Sequence, residues 1–411
     1  MIDQIDSLMQ ERQLEAVIVV GPGQHNPPMV YLTGGAHLTD AMLVKLLNRP
    51  PVLFHRTMER DEAAKSGLDC RDLDAYRLED LARRFGGDML RAVRERNRLL
   101  LKDLGLEAGR AVVCGKIDAG TALAVYAGGS DEIPGPAFIG ELGDSILQAA
   151  METKEPAEIE RIRSVGLKTT AVIGEAADFL SGHRSKNGLL VKSDGDPLTI
   201  GEVKRRMNLW LAERGLENPE GTIFAIGHDA GVPHSTGRDG DPLRLGQTIV
   251  LDMFPCEPGG GYYYDITRTW CLGFAPEEAE KLYADVLSVF QQVMQELRPG
   301  ESCQSYQELA CQLFRSKGHP TIQEAPNTTD GFVHSLGHGV GLYLHERPFF
   351  RLGSSQKQLL QPDSIVTVEP GLYYPERGLG VRLEDTCWIR PEGGAETLAP
   401  YPLDLVLPVT K

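Results

Sequence analysis

The chain has 411 residues, of which 41% are apolar and 24% are charged. This composition is typical of a soluble globular protein, and the length predicts two domains because a single hydrophobic core stops growing at about 250–300 residues. The formal net charge of −16 repels phosphate backbones and anionic lipid surfaces, so nucleic-acid and membrane partners are not expected. The sequence has no apolar stretch long enough to span a bilayer.

Two further features bear on the cellular compartment. The seven cysteines form an odd set without CxxC spacing, which disfavours both a disulfide framework and a thiolate zinc site. The N-terminal segment MIDQIDSLMQERQ contains acidic residues and lacks the basic stretch and apolar run of a signal peptide. We therefore expect reduced thiols and a cytoplasmic location.

The first 150 residues predict an α/β unit. A helical pattern covers residues 2–13, and apolar β-branched runs typical of strands follow at 16–20, 30–33 and 51–54. The stretch 129–143 is rich in Gly and Pro and is typical of connecting structure. We therefore place the domain boundary near Ala150.

Residues 151–411 predict a second domain of the α+β class. A long helix is expected after Glu155, with acidic residues in its first turn and Gly182 near its end. Further helical patterns cover 202–214, 276–296 and 303–317, and strand-like runs cover 222–226, 248–254, 262–270, 365–374 and 380–389.

A hairpin is predicted where two strand-like runs flank the turn Pro258-Gly259-Gly260-Gly261. If the turn is centred between residues 258 and 259, Asp252 and Asp265 lie opposite each other, with Cβ atoms roughly 5 Å apart. Two carboxylates at that distance repel each other unless one takes up a proton or a cation lies between them. The alternative is a pair of solvated acids, but the apolar flanking runs favour a metal ion.

A second hairpin of the same kind surrounds the turn Pro375-Glu376-Arg377-Gly378. A centre between residues 376 and 377 places Glu369 opposite Glu384. Pro370 cannot donate a backbone hydrogen bond, so we expect an edge or a bulge beside Glu369.

Between the hairpins, His338 lies between two glycines that allow its backbone and ring to approach an ion closely. A lone histidine is usually an ordinary packed or exposed residue, but His228, His234, His334 and His345 also lie near the acidic segments. Four carboxylates balance the charge of two divalent cations. One nitrogen among oxygen ligands suits manganese or cobalt, with zinc or iron as alternatives.

These residues resemble the pita-bread metallopeptidases, the family of prolidase, aminopeptidase P, methionine aminopeptidase and creatinase. The resemblance covers residues 151–411 and rests on an ordered ligand set within the motifs DITRT, GHGVG, VEPG and GVRLED. The matching ligands are Asp252, Asp265, His338, Glu369 and Glu384. Residues 1–150 resemble the creatinase-type N-terminal domain. The resemblance implies a pita-bread catalytic domain with two divalent metal ions, and a homodimer.

The resemblance also implies a role for each residue. The first Asp binds one ion, the second Asp and the last Glu bridge both ions, and the His and the first Glu bind the other ion. The family's substrate-facing histidines match His234, in GVPHS, and His345, in LHERP, which we expect to orient the substrate and stabilise the tetrahedral intermediate. Glu369 is expected to accept a proton from the attacking water.

Two further residues are expected to support the ligands. Arg382, two positions before Glu384 and on the same strand face, matches an arginine of the family. The alternative for Arg382 is a salt bridge to an exposed acid. Thr267 stands two positions after Asp265 and is expected to hold that carboxylate.

The predicted activity is hydrolysis of the Xaa-Pro peptide bond by a dipeptidase or an aminopeptidase. The proline nitrogen of this bond has no hydrogen, so shape and metal must position the substrate. Tyr343, Phe349 and Phe350 are candidates for an apolar proline pocket or for ordinary core aromatics.

The substrate class has open alternatives. Prolidases carry an arginine that binds the dipeptide carboxylate, and it has no clear match among Arg347, Arg351 and Lys357, so dipeptide specificity stays open. A family branch that acts on a small non-peptide C–N or C–S substrate is one alternative function. A non-catalytic binding scaffold is another, although such relatives have generally lost metal ligands.

Overall fold

The computed structural model describes residues 2–127, 135–143, 145–353 and 358–410. Contacts within the chain divide it into two units. The first unit comprises Met1–Met151 with Gly259–Gly261, and the second comprises Glu152–Pro258 with Tyr262–Lys411. All residues that the sequence singles out for chemistry belong to the second unit.

The first unit is a mixed sheet with helices, as its sequence predicts. Its strands are β1 (Ala16–Gly21), β2 (Ala41–Leu46), β3 (Val52–His55), β4 (Asp69–Asp72), β5 (Arg110–Gly115) and β6 (Ala137–Ile139). Its α-helices, within the described ranges, are α1 (Ile2–Glu11), α2 (Pro27–Thr33), α3 (Arg60–Ala64), α4 (Leu78–Arg84), α5 (Met89–Asp103), α6 (Ala119–Ala122) and α7 (Ile146–Met151). The strand order is β4-β3-β2-β1-β5-β6, with β1 antiparallel to β2 and parallel to β5.

Two predictions for this unit need correction. The strand predicted at 30–33 is wrong, because this segment is the end of α2. Pro27 and Pro28 occupy the first positions of that helix, where a missing N–H costs nothing, and Gly34, with φ 74°, ends it. The prediction that 129–143 is only connecting structure is also wrong, because this stretch contains β6, which pairs with β5. Residues 129–134 of the stretch lie outside the described residues.

The second unit contains the long helices and most of the strands. Its α-helices are α8 (Pro156–Ser181), α9 (Ile200–Glu213), α10 (Glu277–Glu296) and α11 (Cys303–Ser316). Its strands are β7 (Arg184–Lys186), β8 (Leu189–Val191), β9 (Thr222–Ile226), β10 (Thr248–Met253), β11 (Ile266–Leu272), β12 (His338–Gly339), β13 (Glu346–Phe349), β14 (Ile365–Val368), β15 (Gly371–Tyr374), β16 (Leu379–Arg382), β17 (Asp385–Ile389), β18 (Ala395–Thr397) and β19 (Val406–Leu407). The four helices confirm the four predicted ones. Glu155 and Glu158 form a capping box at the start of α8.

Two sheets of this unit meet where the acidic residues lie. One has the order β19-β11-β10-β9 and the other β13-β12-β14-β17-β18, while β15 and β16 form a separate hairpin. An isolated antiparallel bridge between Thr267 and Glu384 joins the first sheet to the segment that leads into β17. The main apolar core packs α10 and α11 against β14, β15 and β16.

The first predicted hairpin has the wrong register. Asp252 pairs with Thr267 instead of Asp265. The turn is centred one residue later than expected, since the Glu257 N–H donates to the Tyr262 carbonyl at 3.0 Å. This correction shifts the register by two residues, and a shift of two leaves each side chain on the same face of the sheet.

The second predicted register is confirmed. β15 pairs Gly371 with Arg382, and β14 pairs Val368 with Asp385, so one register runs through both pairs of strands. That register places Glu369 opposite Glu384. The interruption expected at Pro370 is also confirmed, because β14 ends at Val368 and β15 begins at Gly371.

Within the described ranges, no helix combines the length and the apolar character that crossing a membrane requires. All seven cysteines lie in those ranges and carry free thiols.

Candidate metal centre

The four acidic residues of the predicted set lie on strands or beside strand ends. Asp252 is on β10, Asp265 directly precedes β11, Glu369 directly follows β14, and Glu384 directly precedes β17. Asp252, Asp265 and Glu384 are buried and Glu369 is partly buried. Strand pairing therefore gathers four carboxylates in one place, although 132 residues (384 minus 252) separate the first from the last.

His338, on β12, lies among these carboxylates. Its Nε2 is 3.4 Å from Glu369 Oε1 and 3.8 Å from Asp265 Oδ2. Its Nδ1 is 3.1 Å from the Gly339 carbonyl, which can only accept, so Nδ1 carries the hydrogen and Nε2 has a free lone pair. Burial, and then the neighbouring His345, lower the pKa of His338 to about 3, which keeps the ring neutral and able to bind a metal.

The raised pKa values of the carboxylates show that too little positive charge surrounds them. Burial raises the pKa of Asp265 and of Glu384 well above the ordinary value, and the neighbouring carboxylates raise both further. Burial also raises the pKa of Glu369 to about 8. Without a cation, the cluster therefore holds protons at neutral pH.

The residues present fit a divalent metal site. Ligand atoms of Asp265, His338 and Glu384 lie within 4.8 Å of one another. The Oδ1 atoms of Asp252 and Asp265 are buried and have no hydrogen-bond partner in the part of the chain that the structure describes. A buried carboxylate oxygen without a partner is costly, and a cation would supply both the partner and the missing charge.

Arg382 is a buried cation in direct contact with this cluster. Its Nη2 donates to Asp252 Oδ2 at 2.6 Å, its Nε to Thr267 Oγ1 at 3.1 Å, and its Nη1 to Tyr373 Oη at 2.8 Å. Its acidic partner is therefore buried, and the alternative of a salt bridge to an exposed acid is wrong. One arginine cannot balance four carboxylates.

The expected role of Thr267 needs correction. Its Oγ1 donates to Glu384 Oε2 at 2.6 Å, and its carbonyl accepts from the Glu384 N–H at 3.1 Å. The shifted hairpin register explains this, since Thr267 occupies the paired position that was expected for Asp265. Asp265 is held through its backbone by Thr386, whose Oγ1 donates to the Asp265 carbonyl at 2.7 Å.

The two predicted substrate-facing histidines are exposed and lie beside the buried residues. The ring of His345 is 4.3 Å from that of His338, centroid to centroid, in an edge-to-face arrangement. His234 follows Pro233, whose carbonyl accepts from Arg382 Nη1 at 3.2 Å. His228 is not part of this group, because its charged neighbours are Asp229 and Glu376, at 3.8 and 4.0 Å.

Sequence reasoning gave no role to Tyr373, which links two site residues. Because its Oη accepts from Arg382, its hydrogen is directed to His334 Nε2 at 2.9 Å, and His334 Nδ1 donates to the Ser335 carbonyl at 2.7 Å. Burial raises the pKa of Tyr373 to about 12 and lowers that of His334 to about 3, so both are neutral. A tyrosine in an apolar strand carries no sequence signal for such a role.

The three aromatic candidates for a proline pocket separate into two groups. Phe350 is fully buried in the main core and is a core aromatic. Tyr343 and Phe349 are partly buried. Only these two keep surface that a substrate could contact.

The basic candidates for binding a substrate carboxylate also differ. Arg347 Nε donates to Glu152 Oε2 at 2.8 Å and already has an acidic partner. Arg351 lies over the ring of Phe349, at 4.3 Å from its centroid. Lys357 lies outside the described residues.

Comparison with known proteins identifies the class. Residues 158–391, more than half of the chain, match metallopeptidase family M24, and the chain belongs to this family. A Xaa-Pro dipeptidase from Pyrococcus furiosus is 33% identical over 198 residues, which cover 48% of this chain and 52% of that protein. The chain thus spans about half the length of the curated relatives it matches.

Two solved structures share the fold over nearly the whole chain. A dipeptidase from Pyrococcus horikoshii OT3 has a TM-score of 0.75 at 22% identity, covering 98% of this chain and 99% of that one. A Xaa-Pro dipeptidase from Bacillus anthracis has a TM-score of 0.74 at 21% identity, covering 98% of each chain. The predicted pita-bread fold is confirmed.

The Thr267 hydroxyl provides the first test of this site. We expect Thr267→Val to weaken metal binding by roughly 10–100-fold, because Glu384 Oε2 loses its donor and Arg382 Nε loses its acceptor. Calorimetric titration of the metal-free protein with Mn²⁺ measures the change.

Thr169→Val is the matched control, since Thr169 is fully buried in α8 and donates to the Val165 carbonyl at 2.8 Å. It removes a similar buried hydrogen bond, one that lies within α8 and involves no carboxylate, and should leave metal affinity unchanged. Equal affinities for Thr267→Val and the wild type would contradict the role given to Thr267.

Proposed function

We propose that this chain is a two-metal peptidase that hydrolyses the Xaa-Pro peptide bond. The observation that carries the proposal is the cluster of four carboxylates and one neutral histidine, all buried except the partly buried Glu369, in a member of a metallopeptidase family. The Xaa-Pro dipeptidase name of its Pyrococcus furiosus relative supports the substrate class. The dipeptidase and aminopeptidase forms of the activity both stay within the proposal.

The proposed ligands are the five residues of the cluster. Asp252 would hold one ion, Asp265 and Glu384 would hold both, and His338 and Glu369 would hold the other. When bound, such ions activate a water molecule and polarise the scissile carbonyl. Manganese or cobalt suits one nitrogen among oxygen ligands, and zinc or iron is the alternative.

Glu369 is the proposed proton acceptor. Its side chain is 15% exposed, against 10% for Asp252 and 6% for Asp265, so its carboxylate is the most open of the three to an incoming water. It keeps a defined position because its N–H donates to the Leu336 carbonyl at 2.8 Å. Its carboxylate takes the proton of the attacking water and returns it to the leaving nitrogen.

The exposed histidines and the buried arginine have different proposed tasks. His234 and His345 would donate hydrogen bonds to the substrate and to the oxyanion that develops on its carbonyl. Arg382 acts from behind the ligands, where its guanidinium donates to Asp252 Oδ2 and fixes the position of that carboxylate.

Shape is the proposed source of proline selectivity. The proline nitrogen offers no N–H for the enzyme to bind, so recognition must come from contact with its ring. Tyr343 and Phe349 are the partly buried aromatics available for that contact.

The wider setting completes the proposal. We propose that residues 1–150 form a creatinase-type N-terminal domain, that 151–411 form the catalytic domain, and that the protein acts as a cytoplasmic homodimer. The net charge of −16 supports a small peptide substrate rather than a nucleic acid or a membrane surface.

A substrate series tests the proposed bond. We expect Xaa-Pro substrates to be cleaved at least about tenfold faster than matched Xaa-Ala substrates, because only proline fills a pocket shaped for its ring. Dipeptides, longer peptides and cyclic amino-acid amides are assayed side by side, with Mn²⁺, Co²⁺ and Zn²⁺ added in turn. Turnover of the amides alone would replace the peptidase proposal with a non-peptide one.

Two substitutions test the proposed residues. Glu369→Gln should lower kcat roughly 10²–10⁴-fold, because an amide cannot accept the proton, and Asp265→Asn should also lose most turnover. Glu376→Gln is the control, since Glu376 lies at the turn of the same hairpin, is 94% exposed and should not affect kcat. Full turnover by Asp265→Asn would show that the mechanism is wrong.

A further inference from the structure

Arg268 is a fully buried arginine on β11, one residue after Thr267. Alternation along a strand turns its side chain away from the face that carries Asp265 and Thr267. It therefore reaches behind the carboxylate cluster, and none of the roles assigned above includes it.

All five N–H donors of this guanidinium are used. Nε donates to the Pro402 carbonyl at 3.0 Å, and Nη1 donates to the carbonyls of Thr267 at 2.9 Å and Glu384 at 2.8 Å. Nη2 donates to Asp385 Oδ1 and to the Tyr401 carbonyl, both at 2.8 Å. Arginine has five such donors in a fixed planar fork, and lysine has three without that geometry.

These bonds join two chain segments that carry proposed ligands. Thr267 and Glu384 form the isolated bridge between the two sheets, and Nη1 binds the carbonyl of each. The Glu384 carboxylate is bound from the front by Thr267 Oγ1. Thr267 Oγ1 thus holds the bridge on the face that carries the carboxylates, and Arg268 holds it on the opposite face.

The same guanidinium also binds residues 398–407, here called the C-terminal segment. This segment follows residue 391, where the match to the M24 family ends. Besides Tyr401 and Pro402, it offers the Leu403 carbonyl to Tyr283 Oη at 2.6 Å and the Leu405 carbonyl to the Cys271 N–H at 2.7 Å. The segment therefore lies along β11 and packs against Arg268.

We propose that Arg268, held by the C-terminal segment and Asp385, is a positioning residue for the two carboxylates, Asp265 and Glu384, proposed to bind both ions. The inference rests on the proposed metal site and extends it to a part of the chain outside the family match. The planar guanidinium of Arg268 has a fixed geometry and therefore sets the distance between the two chain segments that carry Asp265 and Glu384. That distance in turn sets the separation of the two carboxylates.

Arg268→Lys is the test, because lysine keeps the charge beside Asp385 but cannot reach five acceptors. We expect its affinity for Mn²⁺ to fall roughly 10–100-fold, measured by calorimetric titration without substrate. The visible absorption spectrum of the Co²⁺-loaded protein should also change, because it reports the arrangement of the ligands.

Three further variants separate positioning from stability. Val286→Ala removes part of a fully buried side chain from the core and should lower stability with unchanged metal affinity and Co²⁺ spectrum. Asp385→Asn keeps the Oδ1 acceptor and should have a much smaller effect than Arg268→Lys. If Arg268→Lys does not fold, Tyr283→Phe loosens the C-terminal segment and should weaken Mn²⁺ binding in the same direction.

The possible outcomes are distinguishable. Wild-type affinity and an unchanged Co²⁺ spectrum in Arg268→Lys, or in Tyr283→Phe when the first variant does not fold, would overturn this inference alone. A wild type that binds two ions but cuts no Xaa-Pro substrate would overturn the proposed function alone. A wild type that binds no metal would overturn both.

Discussion

The repulsion between four carboxylates in a confined, mostly buried space is the constraint on which the second unit of the chain depends. Burial raises the pKa of Asp265, Glu369 and Glu384, and Arg382 supplies only one compensating charge within contact distance. Leaving such a cluster unpaired would be costly, so its retention in a folded core indicates a bound cation. The proposed catalytic chemistry follows from the same imbalance of charge.

Strand pairing, rather than proximity in sequence, gathers these groups. One continuous register runs through the β14–β17 and β15–β16 pairs and places Glu369 opposite Glu384. The β10–β11 hairpin carries Asp252 and Asp265 on one face, and the Thr267–Glu384 bridge joins the two structures. Hydrogen bonds hold the side chains of Asp252 and Glu384 and the backbones of Asp265 and Glu369, so these positions are set by the protein itself.

The fold could be predicted where local patterns agreed with tertiary packing. The four helices of the second unit have amphipathic spacing and clear ends, and the second hairpin has a turn that fixes its centre. The strand expected at 30–33 failed because two prolines start a helix there, which outweighs the β-branched residues that follow. The predicted centre of the first hairpin turn was wrong by one residue, because three consecutive glycines do not fix that centre in the sequence.

The candidate site was predictable to a different extent. Acidic residues that share one face of a hairpin and one histidine between glycines carry a sequence signal, so all five proposed ligands could be named in advance. Thr267, Tyr373 and Arg268 act through hydrogen bonds that depend on how separate strands meet, and no local pattern encodes that meeting. Thr267 was expected to hold the Asp265 carboxylate, and it holds that of Glu384 instead. The two-residue register shift thus changed the hydrogen-bond partner of Thr267 but left its side chain on the same face of the sheet.

The most direct test is an anomalous-scattering map from crystals grown with Mn²⁺. We predict two peaks per chain, both enclosed by Asp252, Asp265, His338, Glu369 and Glu384. A map without peaks at these side chains, in protein saturated with metal, would contradict the account.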